Sequence, residues 1–261
     1  MFTDYDGREI HSMVFIPVRG GSKGIPGKAL RDLGGKSLLA HTVEYALSIA
    51  GIDKVVVSTD DEEIRTESVH LGAQAPFVRP KELGTDSALL SDAYRHAALW
   101  LEENEHFTPR VLVTMLCTNP FRRKGLVNAA VRWGLEEPKL HSVNALTKIT
   151  CPVDNLFFVR NDCMQPVFDQ EAHMPEQIYA FSGSFHVQFP GRDICGRDGK
   201  PSPVLRRGGV VLDPIEAIDL DELKDLERAR EIVACGAHRP PAVSWGSPGV
   251  CFVPRELAPL P

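Results

Sequence analysis

The feature that most constrains the fold is the alternation of apolar runs with amphipathic helical segments over the first 140 or so residues. The runs SMVFIPV (12–18), KVVVSTD (54–60) and RVLVTMLC (110–117) carry apolar and β-branched residues at their centres, which is typical of buried strands. The segments LLAHTVEYALSIAG (38–51) and SALLSDAYRHAALWLEE (87–103) have helical periodicity instead. Strands that alternate with helices predict a parallel sheet covered on both faces, that is, a three-layer, Rossmann-like α/β fold.

The pattern changes after about residue 140, where strand-like runs follow one another with few helices between them. We predict an inserted segment over roughly residues 149–180 and a final helix in DELKDLERAREIVACG (221–236). The main domain is therefore predicted to cover residues 1–236. The last 25 residues, 237–261, hold six prolines and are predicted to form an extended tail, docked or disordered, rather than a domain.

Charge and composition exclude several classes of protein. The 261 residues carry a formal net charge of −6, and the pI near 5.9 gives no support for nucleic-acid binding. No apolar run has the length of a membrane span, and the polar start MFTDYDGREIH lacks the features of a secretory signal. The six cysteines are scattered without a C-x-x-C pair, so we expect no zinc site, no disulfide framework and a cytoplasmic location.

A basic, glycine-rich loop follows the first long strand. The stretch FIPVRGGSKGIPGKAL (Phe15–Leu30) contains four glycines and three cationic residues in an acidic chain. It fits neither the G-x-x-x-x-G-K-[ST] phosphate loop nor the G-x-G-x-x-G dinucleotide loop. Glycines let backbone N–H groups approach an anion, and Arg19, Lys23 and Lys28 are spaced to converge on a triphosphate. The alternative is a solvated turn with incidental lysines.

Four motifs, in the right order and at the right spacing, resemble those of the CMP-sialic acid synthetases (acylneuraminate cytidylyltransferases) and their relatives that activate other acid sugars. The loop resembles the family pattern R-x-x-S-K-G-x-x-x-K-N-L, although Ala29 stands where the family usually has Asn. The other motifs are VVVSTDDEEI (55–64), FVRPKELGTDSA (77–88) and EAIDLDELKDLERA (216–229). The resemblance covers about residues 13–235.

The resemblance implies a nucleotidyltransferase fold of the nucleotide-diphospho-sugar transferase type. It also implies an enzyme that transfers CMP from CTP to a hydroxyl of an acidic sugar and releases pyrophosphate. Arg19 and Lys28 would be catalytic and would hold the β- and γ-phosphates. Further nucleotide-binding residues would be Gly20, Gly21, Ser22, Lys23, Arg79 and Asp86. Members of the family commonly form homodimers through the inserted segment, so a homodimer is expected here.

The last motif places two carboxylates, Asp219 and Asp221, two residues apart, and residues i and i+2 of an extended segment point the same way. Such a pair suits Mg²⁺, with waters and phosphate oxygens completing the octahedron. The alternative is that one aspartate merely caps the helix that starts near Glu222. With the resemblance, Mg²⁺ is the expected cofactor.

The chain departs from the family in the half that would bind the acceptor. Leu116 stands where the family has a polar Gln, and AFSGSFH (180–186) keeps Gly183 but lacks the family's Arg, Pro and Asn. Candidate replacements for the family's sugar-binding cations are Arg122, Arg123, Lys148 and Arg160, and the alternative is that these are surface charge. His173 and His186 are further candidates for contact with an anion, with a structural role as the alternative. The nucleotide half is therefore predicted to be retained and the acceptor half to be changed.

These departures leave several functions open. The leading hypothesis is a cytidylyltransferase for a small anionic acceptor, best a sialic-acid-like nonulosonic acid. The alternative is the same reaction on another 3-deoxy acid sugar or on a phosphonate. A sugar-1-phosphate nucleotidyltransferase is disfavoured because RGGSKG (19–24) lacks the G-x-G-T-R-like opening of that class. A non-catalytic nucleotide-binding relative is disfavoured because the chain keeps both the loop cations and the acidic pair.

Overall fold

Strands and helices alternate along most of the chain in the computed structural model, which describes residues 2–3, 7–150, 157–160, 163–166, 178–192, 206–237, 242 and 251–254. The helices are α1 (Leu38–Leu47), α2 (Glu62–His70), α3 (Leu90–Glu105), α4 (Leu126–Glu136) and α5 (Leu223–Ala234), with 3₁₀ turns at Lys28–Leu30 and Lys81–Gly84. The strands are β1 (Phe2–Thr3), β2 (Glu9–Ile10), β3 (Ser12–Pro17), β4 (Lys54–Ser58), β5 (Val111–Thr114), β6 (Ser142–Lys148), β7 (Phe157–Arg160), β8 (Cys163–Pro166), β9 (Tyr179–Gln188), β10 (Arg207–Val211) and β11 (Cys251–Pro254).

Seven of these strands form one mixed sheet in the order β11-β10-β6-β9-β5-β3-β4. As predicted, β3 runs parallel to β4 and β5. Strand β10, which sequence analysis did not identify, runs parallel to β6. However, β9 is antiparallel to both of its neighbours, and β11 is antiparallel to β10. The expectation of a parallel sheet is wrong for these two strands. A parallel neighbour needs a crossover connection, usually a helix, and the described residues between β6 and β9 contain none.

Helices lie on both faces of the sheet, which confirms the three layers. Alternate residues of β3 face opposite ways, so Val14 and Ile16 are buried in the cluster with α1 and α4, whereas Met13 and Phe15 are buried against α3. The sheet residues buried against α3 come from β3, β4 and β5. Beyond β5, no helix of the described residues covers this face, and a cavity opens there.

Side-chain caps set the starts of the first two helices. Ser37 Oγ accepts a hydrogen bond from Ala40 N (3.0 Å) at the start of α1. At the start of α2, Asp61 Oδ1 accepts from Glu63 N (2.9 Å). Because Asp61 is the cap, the neighbouring Asp60 is available for contacts elsewhere.

The predicted insertion and tail are each described in part. Within the insertion, β7 and β8 form an antiparallel hairpin. Within the tail, β11 adds an antiparallel strand to the edge of the large sheet. The rest of both segments lies outside the described residues, so the dimerisation role of the insertion stays a prediction. In the part of the chain that is described, no helix combines the length and the hydrophobicity that crossing a membrane requires.

Candidate active site

A cleft opens at the carboxyl ends of β3, β4 and β5, which is the edge where open α/β sheets bind ligands. The glycine-rich loop after β3 lines one side and residues 79–93 line the other, around a cavity of about 350 Å³. The polar and charged residues that line it are Arg19, Ser22, Lys28, Arg79, Thr85, Asp86, Thr118 and Asp221. Beside it, rather than among the lining residues, lie Gly20, Gly21, Lys23 and Asp219.

Glycine is needed at specific points of the loop. Gly27 has a φ of 62°, in the left-handed region. A Cβ at Gly24 would lie 2.1 Å from the backbone oxygen of Asp221, so the loop touches the acidic segment directly at that point. The N–H of Gly20 donates to Asp60 Oδ1 (3.1 Å), which ties the loop to the residues after β4. The loop is therefore fixed in place by close backbone contacts.

Gly24→Ala is expected to push the loop away from the acidic segment. The added methyl group meets a main-chain carbonyl, which cannot rotate aside, and overpacking of this kind costs roughly 1–3 kcal/mol. Gly21→Ala is the matched control, because no atom lies within 4 Å of its added Cβ. Thermal unfolding of the two variants without ligand should show a lower Tm for Gly24→Ala only. Equal Tm values for the two variants would contradict the contact.

Each of the three loop cations is paired with a carboxylate. Asp86 accepts from Arg19 Nη1 through Oδ1 and from Lys23 Nζ through Oδ2, both at 2.5 Å. Lys28 Nζ lies 3.1 Å from Asp221 Oδ1. The ammonium of Lys23 and the guanidinium of Arg19 hold the pKa of Asp86 below its usual range. Phosphate oxygens accept hydrogen bonds from the same cations, so a bound polyphosphate would compete with both carboxylates.

Arg79 is buried, and its polar contacts are with the protein. Its Nη2 donates to Val18 O (2.9 Å) and to Asp60 Oδ1 (3.3 Å). Burial lowers its pKa, and its Nε has no hydrogen-bond partner among the residues that the structure describes. Arg79 thus links the end of β3 to Asp60, and its predicted contact with a nucleotide stays a prediction. Sequence analysis did not identify the contact between Asp60 and Arg79, because the two residues lie 19 positions apart in separate motifs.

The acidic pair is not used to cap α5. The cap is Glu222, whose N–H bonds the carboxylate of Asp225 (2.8 Å) in a capping box. Between the two aspartates lies Leu220, which is fully buried. The alternative that Asp219 or Asp221 serves as the N-cap is therefore wrong.

The surroundings of the pair fit Mg²⁺. Loss of surrounding water raises the pKa of Asp219, a hydrogen bond from Thr118 lowers it, and the charge of Asp221 raises it again. A cation relieves this repulsion. No cluster of three or more His, Cys, Asp or Glu side chains suited to a metal occurs among the described residues. Two carboxylates, with water and phosphate oxygens as the other ligands, suit Mg²⁺ rather than a metal that needs a cage of protein ligands.

A second cavity, of about 420 Å³, lies on the sheet face that no described helix covers. Leu90 and Leu116 line both cavities and form the wall between them. The polar and charged residues that line the second cavity are Thr114, His141, Ser142, Asn144, Ser182, His186, Gln188 and Arg207. Asp and Glu are absent from its lining within the described residues, so the cavity suits a polar or anionic ligand.

Arg207 is the cation of the second cavity, and sequence analysis missed it. It reaches the cavity because the strand register places it opposite Ser142 of β6, which in turn lies opposite Gln188 of β9. Burial, with a smaller contribution from the charge of Arg207, lowers the pKa of His186 to about 4. His186 is therefore neutral near pH 7 and offers a hydrogen bond, not the charge that would bind an anion.

Three of the four cations proposed to bind the acceptor are described, and none of the three lines the second cavity. Arg123 Nε bonds Glu216 Oε1 (2.6 Å), and Glu216 is only 1% exposed. Arg122 is buried beneath the wall between the cavities. Lys148 is exposed at the end of β6. The prediction is therefore wrong for Arg122 and Arg123, whose charges serve internal contacts. Outside the described residues lie the side chain of Arg160 and the whole of His173.

Comparison with known proteins gives concordant matches. Residues 13–155 match the family model described as cytidylyltransferase. The chain is 31% identical over 228 residues to a pseudaminic acid cytidylyltransferase of Campylobacter jejuni, covering 84% of this chain and 94% of that protein. It is 30% identical over 251 residues to a 3-deoxy-manno-octulosonate cytidylyltransferase of Anaeromyxobacter dehalogenans, covering 87% and 99%. The fold is similar to that of a CMP:2-keto-3-deoxy-manno-octonic acid synthetase solved with CTP, with a TM-score of 0.61, 19% identity and coverage of 87% of this chain and 99% of that one.

Proposed function

Because the chain belongs to the cytidylyltransferase family, we propose that its two cavities serve one reaction, the transfer of CMP from CTP to an anionic acceptor with release of pyrophosphate. The preferred acceptor is a nonulosonic acid of the sialic acid type, in keeping with the relative named for pseudaminic acid. The observation that carries this proposal is the junction, at Leu90 and Leu116, between a cavity lined by the basic loop and a polar cavity that contains one arginine.

CTP would bind in the first cavity with its phosphates along the glycine-rich loop. The phosphates would replace Asp86 as the partner of Arg19 and Lys23, and Asp221 as the partner of Lys28. This exchange keeps every loop cation paired, and the carboxylates that it releases are solvent-exposed, Asp86 by 46% and Asp221 by 73%, so neither becomes a buried unpaired charge. The backbone at Gly21 is open to a phosphate, because a Cβ added there would have no neighbouring atom of the described residues within 4 Å.

The acceptor, bound in the second cavity, would present a hydroxyl oxygen to the α-phosphorus at the junction. The new oxygen–phosphorus bond forms while the bond between the α-phosphorus and the oxygen of the leaving pyrophosphate breaks, in line with it. The hydroxyl proton passes to solvent. Arg19 and Lys28 stabilise the charge that develops on pyrophosphate. No covalent bond to the protein is required.

Asp219 and Asp221 would hold Mg²⁺ in this proposal. When bound, the ion neutralises phosphate charge and orients the phosphate for attack. The exchange of Lys28 from Asp221 to a phosphate oxygen would free this carboxylate for the ion. The acidic pair and the loop cations are thus expected to act only when nucleotide is bound.

We also propose a homodimer that works in the cytoplasm. Around the second cavity, the side chain of Phe181 is 64% exposed and that of Leu90 is 47% exposed, which supports coverage of this face by a partner. Cys235 is an exposed free thiol, as is common in a reducing compartment. Analytical ultracentrifugation of the full chain tests the dimer, and a single monomeric species would contradict it.

A second candidate acceptor is 3-deoxy-manno-octulosonate. It is favoured by the alignment to the relative named for that sugar, which covers 87% of this chain. The nucleotide chemistry would be the same. Only the contacts in the second cavity would differ between the two candidates.

Pyrophosphate release tests the proposal. Each of the four ribonucleoside triphosphates is combined with Mg²⁺ and with pseudaminic acid, N-acetylneuraminic acid or 3-deoxy-manno-octulosonate. We expect release with CTP and a nonulosonic acid; a higher kcat/KM with the octulosonate would select the second candidate. Calorimetric titration with each nucleotide is the companion measurement. Equal binding of all four would contradict cytosine specificity, a point of interest because Ala29 lines the cavity where the family usually has Asn.

A further inference from the structure

Arg122 lies directly beneath the wall that separates the two cavities. Its Nε donates to the carbonyl oxygen of Ser184 (2.8 Å), and its Nη2 donates to that of Leu116 (2.6 Å). Leu116 follows β5, and Ser184 belongs to β9. One planar guanidinium therefore joins the end of β5 to β9 at the point where the cavities meet.

The side chain of Leu116 is held closely at the same point. The N–H of Leu116 donates to Gly183 O (3.2 Å), which is a second link between the two segments. A Cβ at Gly183 would lie 2.7 Å from Leu116 Cδ1 and 2.6 Å from Asn119 Oδ1. Leu116 thus rests against bare backbone, and any movement of its main chain would shift a side chain that lines both cavities.

The charge of Arg122 has no carboxylate partner among the described residues. Its Nη1 is buried and has no hydrogen-bond partner in the described part of the chain, and its guanidinium lies 5.9 Å from the centre of the Tyr45 ring. The neighbouring Tyr45 and Cys117 are neutral, because burial raises their pKa values to about 12 and about 11. A buried cation without a counter-ion is costly, and the two hydrogen bonds to main-chain carbonyl oxygens offset only part of that cost. Stability alone therefore does not account for an arginine at this position.

We propose that Arg122 is a positioning residue that fixes Leu116 at the junction, and that Leu116 sets how closely the acceptor approaches the α-phosphate. This inference rests on the proposed function. CTP would be held mainly by the loop cations. A change at Arg122 should therefore lower kcat/KM for the acceptor much more than it weakens the binding of CTP.

The test compares Arg122→Lys with the wild type. A lysine ammonium is a point charge and cannot hold both carbonyl oxygens in a fixed fork. Misplacement of reactants by about 1 Å costs up to roughly 100-fold in rate. We expect kcat/KM for the acceptor, measured with pseudaminic acid, to fall on the order of 10- to 100-fold. The calorimetric Kd for CTP should change less than about 2-fold, because the hydrogen bonds described for Arg122 go to Ser184 and Leu116 and not to the loop cations or their carboxylate partners.

Arg192→Lys is the matched control. Arg192 Nη1 also donates to main-chain carbonyls, those of Gly134 and Leu140 (both 2.6 Å), and its guanidinium lies 4.1 Å from the centre of the Phe189 ring. It lines neither cavity. This variant should lower the Tm while leaving both KM values and the acceptor specificity unchanged. An equal kinetic effect of the two substitutions would show that Arg122 is only structural.

A double-mutant cycle with Leu116→Ala shows whether Arg122 acts through Leu116. If it does, Arg122→Lys adds almost nothing to the acceptor defect of Leu116→Ala, whereas independent effects multiply. Should Arg122→Lys fail to fold, Leu116→Ala alone decides, and unchanged acceptor kinetics in that variant overturn the inference. Multiplying effects in an active enzyme also overturn it, without touching the proposed function. A wild type that releases no pyrophosphate with any acid sugar overturns both.

Discussion

Lys28→Ala is expected to lower kcat by about 10- to 150-fold, which corresponds to the loss of a charge-assisted phosphate contact of roughly 1.5–3 kcal/mol. The reason is geometric. The Lys28 side chain is only 12% exposed, and its ammonium already lies in hydrogen-bond range of a carboxylate at the cavity wall. A phosphate at this point would gain most from the ammonium as pyrophosphate departs. Steady-state kinetics with CTP measure the effect.

The matched control for Lys28→Ala is Lys36→Ala. Lys36 Nζ pairs with Glu44 Oε2 (2.6 Å) at an exposed site away from the cleft.

From sequence alone, the Tm of Lys28→Ala without ligand is predicted to be unchanged or slightly raised, because one of several clustered cations is removed. The structure changes this expectation to a small decrease, because Lys28 pairs with Asp221. Full activity of Lys28→Ala, or a loss of activity that only follows unfolding, would support the alternative that the loop is a solvated turn with incidental lysines.

Asp221→Asn is expected to lower turnover by about 100-fold or more, since a metal ion supplies several kcal/mol of charge stabilisation in phosphoryl transfer. The half-saturating Mg²⁺ concentration should rise as well. Stability without ligand should change little, because the Asp221 side chain is 73% exposed. Turnover as a function of Mg²⁺ concentration is the measurement.

Glu103→Gln is the matched control for the loss of one negative charge. Glu103 is an exposed carboxylate on α3, away from the residues that line either cavity. It should leave both kcat and the Mg²⁺ dependence unchanged. Near wild-type turnover of Asp221→Asn at saturating Mg²⁺ would remove Asp221 from the proposed metal site.

The parts of the fold that follow from local pattern could be predicted. The apolar run at 12–18 contains β3, and the periodic segment at 38–51 contains α1, although this helix ends at Leu47. The direction of β9 could not be predicted in this way. Whether a strand runs parallel or antiparallel depends on partners far away in sequence, here β5 and β6. Local periodicity carries no information about that choice.

The same distinction applies to the candidate site. The loop cations and the acidic pair lie in short motifs, so they could be picked out from the sequence, and the structure places Lys28 beside Asp221. Arg207 enters the second cavity only through strand register. Arg122 was a candidate for binding the acceptor, yet it is buried and bonds the carbonyl oxygen of Ser184. This contact could not be predicted, because Ser184 lies 62 residues further along the chain. Contacts of this range depend on packing, which no local motif encodes.

The central claim is that the two cavities join CMP to an acid sugar, and product analysis tests it most directly. The protein is incubated with CTP, Mg²⁺ and pseudaminic acid, and the products are identified by mass spectrometry and phosphorus NMR. The account predicts one new species with the mass of CMP joined to the acceptor with loss of water, together with an equal amount of pyrophosphate. The incubation is repeated with the other acid sugars that appear in the names of the relatives. The account is contradicted if CTP binds but stays intact with all of these sugars, or if CTP is hydrolysed without transfer of CMP.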